Sequence, residues 1–121
     1  MRMCFMVGLG GFLGSVSRYL LSLLPVAGNS GFPWMTLGIN VTGSLLIGVL
    51  VGLTESWLPA QSEWVALLKI GFCGGFTTFS TFALELSGML QGGKGSVAAL
   101  YIVLSTLLGV GAVFAGKALV R

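Results

Sequence analysis

Four long apolar stretches, each of the length that crosses a bilayer, take up almost the whole chain and leave only short connections between them. A transmembrane helix needs about 20 mostly apolar residues to cross a hydrocarbon core of about 30 Å. Span 1 is expected over about 3–24, span 2 over 34–53, span 3 over 63–90 and span 4 over 96–119. Only 7% of the 121 residues are charged, against about 25% in an ordinary soluble domain, so a water-soluble fold would have no surface. The expected fold is one all-α integral membrane domain, 1–121, with four transmembrane helices and no room for a separate soluble domain. A cleaved leader over span 1 is the competing reading, but Arg18 would interrupt its apolar region.

The connections carry turn and interface residues. Pro25 to Pro33, with Asn29, closes span 1; Trp34 stands where an interfacial aromatic belt is expected; Glu55, Trp57 and Pro59 close span 2; and Gly92, Gly93, Lys94 and Gly95 turn the chain into span 4. An even number of spans puts both termini on one side. That side then holds Arg2, Lys69, Lys117 and Arg121 against Arg18 and Lys94 on the other. So weak a bias towards cytoplasmic termini allows insertion both ways round. Gly10 with Gly14, and Gly48 with Gly52, form small-xxx-small steps that let helix backbones approach closely in lipid. Four short helices enclose little by themselves, so a homo-oligomer is expected.

The residue inventory excludes much chemistry. There is no histidine, and three carboxylates serve the whole chain, so most hydrolytic and metal-dependent mechanisms lack their parts and an enzyme is not expected. Cys4 and Cys73 stand far apart in apolar stretches and read as small buried hydrophobes. The six basic residues are scattered singly, so no nucleic-acid partner is expected.

Polar side chains within hydrocarbon are costly and usually face a bundle interior or a water-filled path. In span 2, Thr36, Asn40 and Ser44 recur at every fourth residue beside Gly43, one narrow stripe on a helix. In span 4, Tyr101 and Ser105 repeat the step, continued by Gly109 and Ala112. Such groups either join helices by hydrogen bonds worth about 0.6 kcal/mol each or line a path. For Asn40 the path is the preferred reading, because a mid-span amide brings two donors and an acceptor to satisfy.

Span 3 carries the densest pattern: Gly71, Phe72, Cys73, Gly74, Gly75, Phe76, Thr77, Thr78, Phe79, Ser80, Thr81 and Phe82, then Glu85. Its glycines, each about 1 kcal/mol worse than alanine in a helix, and its paired threonines suggest a break near the middle. Carbonyls freed by a break can coordinate a cation; a close helix crossing through the glycines is the alternative. Phe79 and Phe82 share a face, and the hydroxyls of Thr78, Ser80 and Thr81 lie near ring edges that carry the positive part of the aromatic quadrupole. That mixture suits a small dehydrated anion. Glu85 is open to three uses: facing water, pairing with a basic residue, or lining an entrance. Arg18 is open to two: snorkelling to the interface or drawing anions into a vestibule.

The segments Gly10 to Tyr19, Thr36 to Gly43 and, most specifically, Gly71 to Phe82 resemble the CrcB/Fluc family of fluoride channels, over the whole chain in length and span count. The resemblance implies a fluoride-selective passive channel of the bacterial inner membrane that exports cytoplasmic fluoride and protects the cell from it. It implies an antiparallel, dual-topology homodimer with two pores, each drawing residues from both subunits. Carried onto this sequence, Asn40 lines the pore and Phe79 and Phe82 present ring edges to fluoride. Thr81, Tyr101, Ser105 and Glu85 complete the polar path, and Arg18 sits near an entrance. Gly74 and Thr77 are expected to give backbone carbonyls to a central sodium ion shared between subunits. Asn40, Phe79 and Phe82 should then be needed for flux and be largely dispensable for folding. The competing class is a small proton-coupled multidrug-type transporter, which wants a carboxylate in span 1; this span has none.

Overall fold

Each apolar stretch becomes a helix, because backbone groups in lipid must be satisfied within their own segment. The computed structural model describes residues 1–25, 31–57 and 59–120. Span 1 is α1 (Arg2–Ser22) and span 2 is α2 (Trp34–Ser56). Span 3 is composite: α3 (Glu63–Val65) runs into a π-helical segment (Ala66–Phe72) and α4 (Cys73–Phe76), and α5 (Phe79–Gln91) completes the crossing. Span 4 is α6 (Gly95–Ala118). The runs Arg2–Ser22, Trp34–Ser56, Glu63–Gln91 and Gly95–Ala118 are each long and apolar enough to cross a membrane. No strand occurs among the described residues.

Span limits fall close to those expected. The largest difference is at α2, which continues to Ser56 and so puts Glu55 in its last turn, where it pairs with Lys117 Nζ at 2.7 Å. Most of the expected turn between Pro25 and Pro33, Asn29 included, lies outside the described residues, as does Arg121.

The helix ends follow from local chemistry. Ser62 Oγ accepts from Val65 N–H at 3.2 Å to cap the start of span 3. Between α5 and α6, Lys94 N–H bonds Met89 O at 2.9 Å and Gly93 N–H bonds Leu90 O at 3.1 Å, while Gly93 takes φ 72°. This is a Schellman turn, which needs a residue without a Cβ at its left-handed position.

Packing runs along two glycine seams. Gly10 and Gly14 of α1 lie on the backbone of span 3, where an added Cβ would stand 2.9 Å from Phe72 N and 2.8 Å from Phe76 N respectively. Gly71 answers from span 3, its added Cβ falling 2.9 Å from Gly10 Cα. Gly48 of α2 and Gly116 of α6 do the same for the other pair, at 2.9 Å from Val113 Cα and 2.7 Å from Val49 N. The side chains that fill the bundle gather where α2, α5 and α6 meet: Leu37, Met89, Ala98 and Tyr101 are buried, with Phe82 and Leu86 packed on them. Outward faces are apolar and exposed, as with Phe12, Leu107 and Phe114. Cys73 is buried as expected, whereas Cys4 is exposed on α1.

Candidate functional site

The interruption of span 3 lies at its threonines. α4 stays helical through Gly74 and Gly75; Thr77 (ψ 157°) and Thr78 (φ −147°, ψ 118°) are extended. Two of the span's glycines, Gly71 and Gly75, instead approach the backbone of α1 at Gly10 and Gly11. The expected break and the alternative glycine crossing therefore both occur, at neighbouring residues.

A helix gives each N–H to the carbonyl four residues back, so an interruption can be followed bond by bond. Thr77 N–H still reaches Cys73 O at 3.0 Å, joined there by its own Oγ1 at 2.9 Å. Thr78 N–H is diverted to Asn40 Oδ1 at 2.8 Å, and Asn40 Nδ2 donates back to Thr78 O at 3.1 Å. Thr81 N–H is diverted to Thr78 Oγ1 at 3.2 Å, which caps α5. The carbonyls of Gly74 and Thr77 lose their helical donors in this way, and those of Gly75 and Phe76 receive none from Phe79 and Ser80 at the start of α5. Gly75 O is taken by Arg18 Nε at 3.1 Å and Ser15 Oγ at 3.5 Å from α1.

Beside the interruption runs a groove of about 430 Å³. Asn40 and Ser44 line it from α2, Lys69, Gly74, Thr77 and Thr78 from the first part of span 3 and the break, Phe79 and Phe82 from α5, and Ser105 and Thr106 from α6. An added Cβ on Gly74 would meet nothing within 4 Å, so its backbone is bare on the exposed side. The rings of Phe79 and Phe82 stand 5.8 Å apart, and Phe79 is 80% exposed. Ser105 Oγ is buried without a hydrogen-bond partner among the described residues. Asn40 uses one donor and its acceptor on Thr78, which leaves one amide N–H in hand.

A second polar cluster sits behind Phe82, whose ring lies 4.9 Å from that of Tyr101. Tyr101 is fully buried, and its hydroxyl donates to Glu85 Oε2 at 2.7 Å; Thr36 Oγ1 donates to Glu85 Oε1 at 2.6 Å.

Residues 5–117 match the family model described as CrcB-like protein, Camphor Resistance (CrcB). The chain belongs to the CrcB-like family. It is 46% identical to the Fluoride-specific ion channel FluC of Rhodospirillum centenum, over 100% of this chain and 97% of that protein. It is 41% identical to the protein of the same name from Chlorobaculum tepidum, over 100% and 96%, and 45% identical to that of Erythrobacter litoralis, over 95% and 89%. With its four spans, this CrcB-like chain is a multi-pass protein of the bacterial inner membrane.

In this CrcB-like chain the expected site residues divide into two groups. Asn40, Phe79, Phe82, Ser105, Gly74 and Thr77 come together on the groove. Thr81, Tyr101, Glu85 and Arg18 do not line it. Glu85 takes two hydroxyls where a basic partner was one expectation, because the stripes of α2 and α6 deliver Thr36 and Tyr101 to it. Arg18 braces a carbonyl at the break through Nε, which leaves the rest of its guanidinium for either expected use. Asn40 makes two bonds to Thr78 at the break, so its removal is expected to cost stability as well as flux. The groove also takes in Lys69, which the sequence marked only as a basic residue inside a span, and Thr106, which α6 gave no sign of.

Proposed function

We propose that this chain is a fluoride-selective passive channel that lets fluoride leave the cytoplasm, working as an antiparallel homodimer. The observation that carries this reading is the groove itself, lined together by Asn40, which has a spare amide N–H, by Ser105, whose buried hydroxyl has no partner among the described residues, and by the rings of Phe79 and Phe82. The names of the relatives agree with it. Fluoride is small and strongly hydrated, so a pore must replace its water with converging donors. Here the amide, the hydroxyl and positive ring edges would do so in succession, and a narrow path would reject chloride by size. Neutral hydrogen fluoride crosses membranes and ionises in the cytoplasm, so a passive leak of the anion driven by membrane potential suffices for export.

A single chain leaves the groove open beside the exposed Phe79 ring. A second copy in the opposite orientation would close it, and the weak charge bias of the loops favours such an arrangement. The carbonyls of Gly74 and Thr77, stripped of helical donors, form an oxygen-only set of the kind that holds sodium at broken membrane helices. Sodium held there by both subunits would supply positive charge at the centre of the dimer without any ionised side chain.

The decisive variants keep bulk and remove donors. Phe79→Ile, Phe82→Ile and Ser105→Ala, purified and reconstituted, are expected to keep the elution volume of the wild type and lose tenfold or more of its fluoride efflux, read with an ion-selective electrode. Full efflux from all three would return these residues to ordinary packing.

A further inference from the structure

Lys69 has no place in the reading above, yet it lines the groove. Leu67 and Gly71 of the same π-helical segment pack on α1, so residue 69, two from each, turns away from α1 and towards the groove. A lysine among Leu67, Leu68 and Ile70 is costly in hydrocarbon unless it is paired or reaches water. The chain has three carboxylates to offer. Glu55 is bonded by Lys117 Nζ; both oxygens of Glu85 accept hydroxyls beyond the break; and Glu63, about 9 Å back along the helix axis, lines a separate pocket with Arg2, Phe5 and Met6. Among the described lining residues, Lys69 carries the groove's one formal charge.

We infer that Lys69 is an anion-capture residue: its ammonium group concentrates a small anion at one mouth of the groove, ahead of Asn40 and the phenylalanines. The assignment rests on the channel reading. Eight residues separate Lys69 from Thr77, about 12 Å of helix, so the charge is too far away to ligate an anion at the break and close enough to raise its local concentration. A cleft lined by one sign of charge focuses its field and raises the entry rate of the opposite ion, an effect that salt removes. Lys69 therefore sets how fast anions enter and leaves selectivity to the amide and ring edges.

Ionic strength separates this role from a structural one, because the screening length is about 30 Å at 0.01 M and about 3 Å at 1 M. Fluoride conductance would be recorded in planar bilayers of neutral phosphatidylcholine, with ionic strength set by an impermeant salt. Lys69→Gln is expected to lower conductance about threefold or more at low ionic strength and to match the wild type at high ionic strength, while Lys69→Arg keeps at least half the low-salt value. An undiminished Lys69→Gln conductance at low salt, or a deficit equal at both salts, would overturn the assignment. Wild-type protein that conducts no fluoride would instead overturn the channel reading beneath it. The wild type gives a check that needs no variant: at low ionic strength its conductance should fall less than in proportion to fluoride activity, and strict proportionality would contradict a capturing charge.

Discussion

Asn40 holds the break and, in the proposed channel, would still offer a donor to the anion. Its place on the stripe from Thr36 to Ser44 was visible in the sequence as a four-residue step, and so was the difficulty of leaving an amide in mid-membrane. Its partner was not visible, because the Thr78 N–H and carbonyl become available only once the helix has broken at a residue 38 positions away. Removing the amide strands the half-buried N–H and carbonyl of Thr78. At about 1 kcal/mol for each bond, and more for a buried group left unsatisfied, Asn40→Ala is expected to cost roughly 2–4 kcal/mol and to abolish flux. Asn40→Asp keeps an acceptor for Thr78 N–H but sets an oxygen against Thr78 O and against any anion, so it should be less destabilised than Asn40→Ala and pass no fluoride. Denaturant unfolding in detergent, read beside efflux, checks the order; an Asn40→Ala protein as stable as the wild type would remove the clasp from this account. Arg18 follows the same logic. Arg18→Lys retains the charge without the planar fork, and is expected to conduct less than the wild type because Gly75 O loses its brace.

Among the elements, the glycine seams were readable and the exact place of the break was not. The steps from Gly10 to Gly14 and from Gly48 to Gly52 predicted close crossings, and both glycine pairs lie against neighbouring backbone. In span 3 the same residue type misleads, since helix propensity counts Gly74 and Gly75 against the helix while contact with Gly11 and Ser15 holds Gly75 in it. Thr77 and Thr78 break it instead, where the Asn40 amide and the Thr78 hydroxyl take the N–H groups of Thr78 and Thr81. The π-helical winding of Ala66–Phe72 left no trace in residue type. Two glycines of α6 separate crossing from mere composition. Gly116→Val drives a side chain into the backbone of Leu45 and Val49 and should prevent folding, whereas a Cβ at Gly111 meets nothing within 4 Å. Gly111→Ala should be neutral or stabilising by up to about 1 kcal/mol; expression and monodispersity by size exclusion report both. At the break, the proposed sodium ion, held by carbonyls, would make thermal stability depend on sodium even in Thr77→Val, which keeps its carbonyl. A wild-type thermal midpoint unmoved by replacing sodium with N-methylglucamine would contradict the ion.

For the whole molecule, the span count and the membrane class follow from apolar length alone, and the family from the motif of span 3. The groove could not be read in advance, because it is built from α2, both halves of span 3 and α6 at once. Its open side explains why one chain is not expected to conduct. If the partner is antiparallel, single cysteines on opposite loops should cross-link between subunits, and finding every terminus on one side of the membrane would exclude that arrangement. Fluoride and chloride efflux from liposomes that contain only this protein, recorded with ion-selective electrodes under the same potassium gradient and valinomycin, bears most directly on the proposed channel. Rapid fluoride efflux with chloride retained is the expected result; chloride leaving as fast as fluoride, or neither ion leaving, would contradict it.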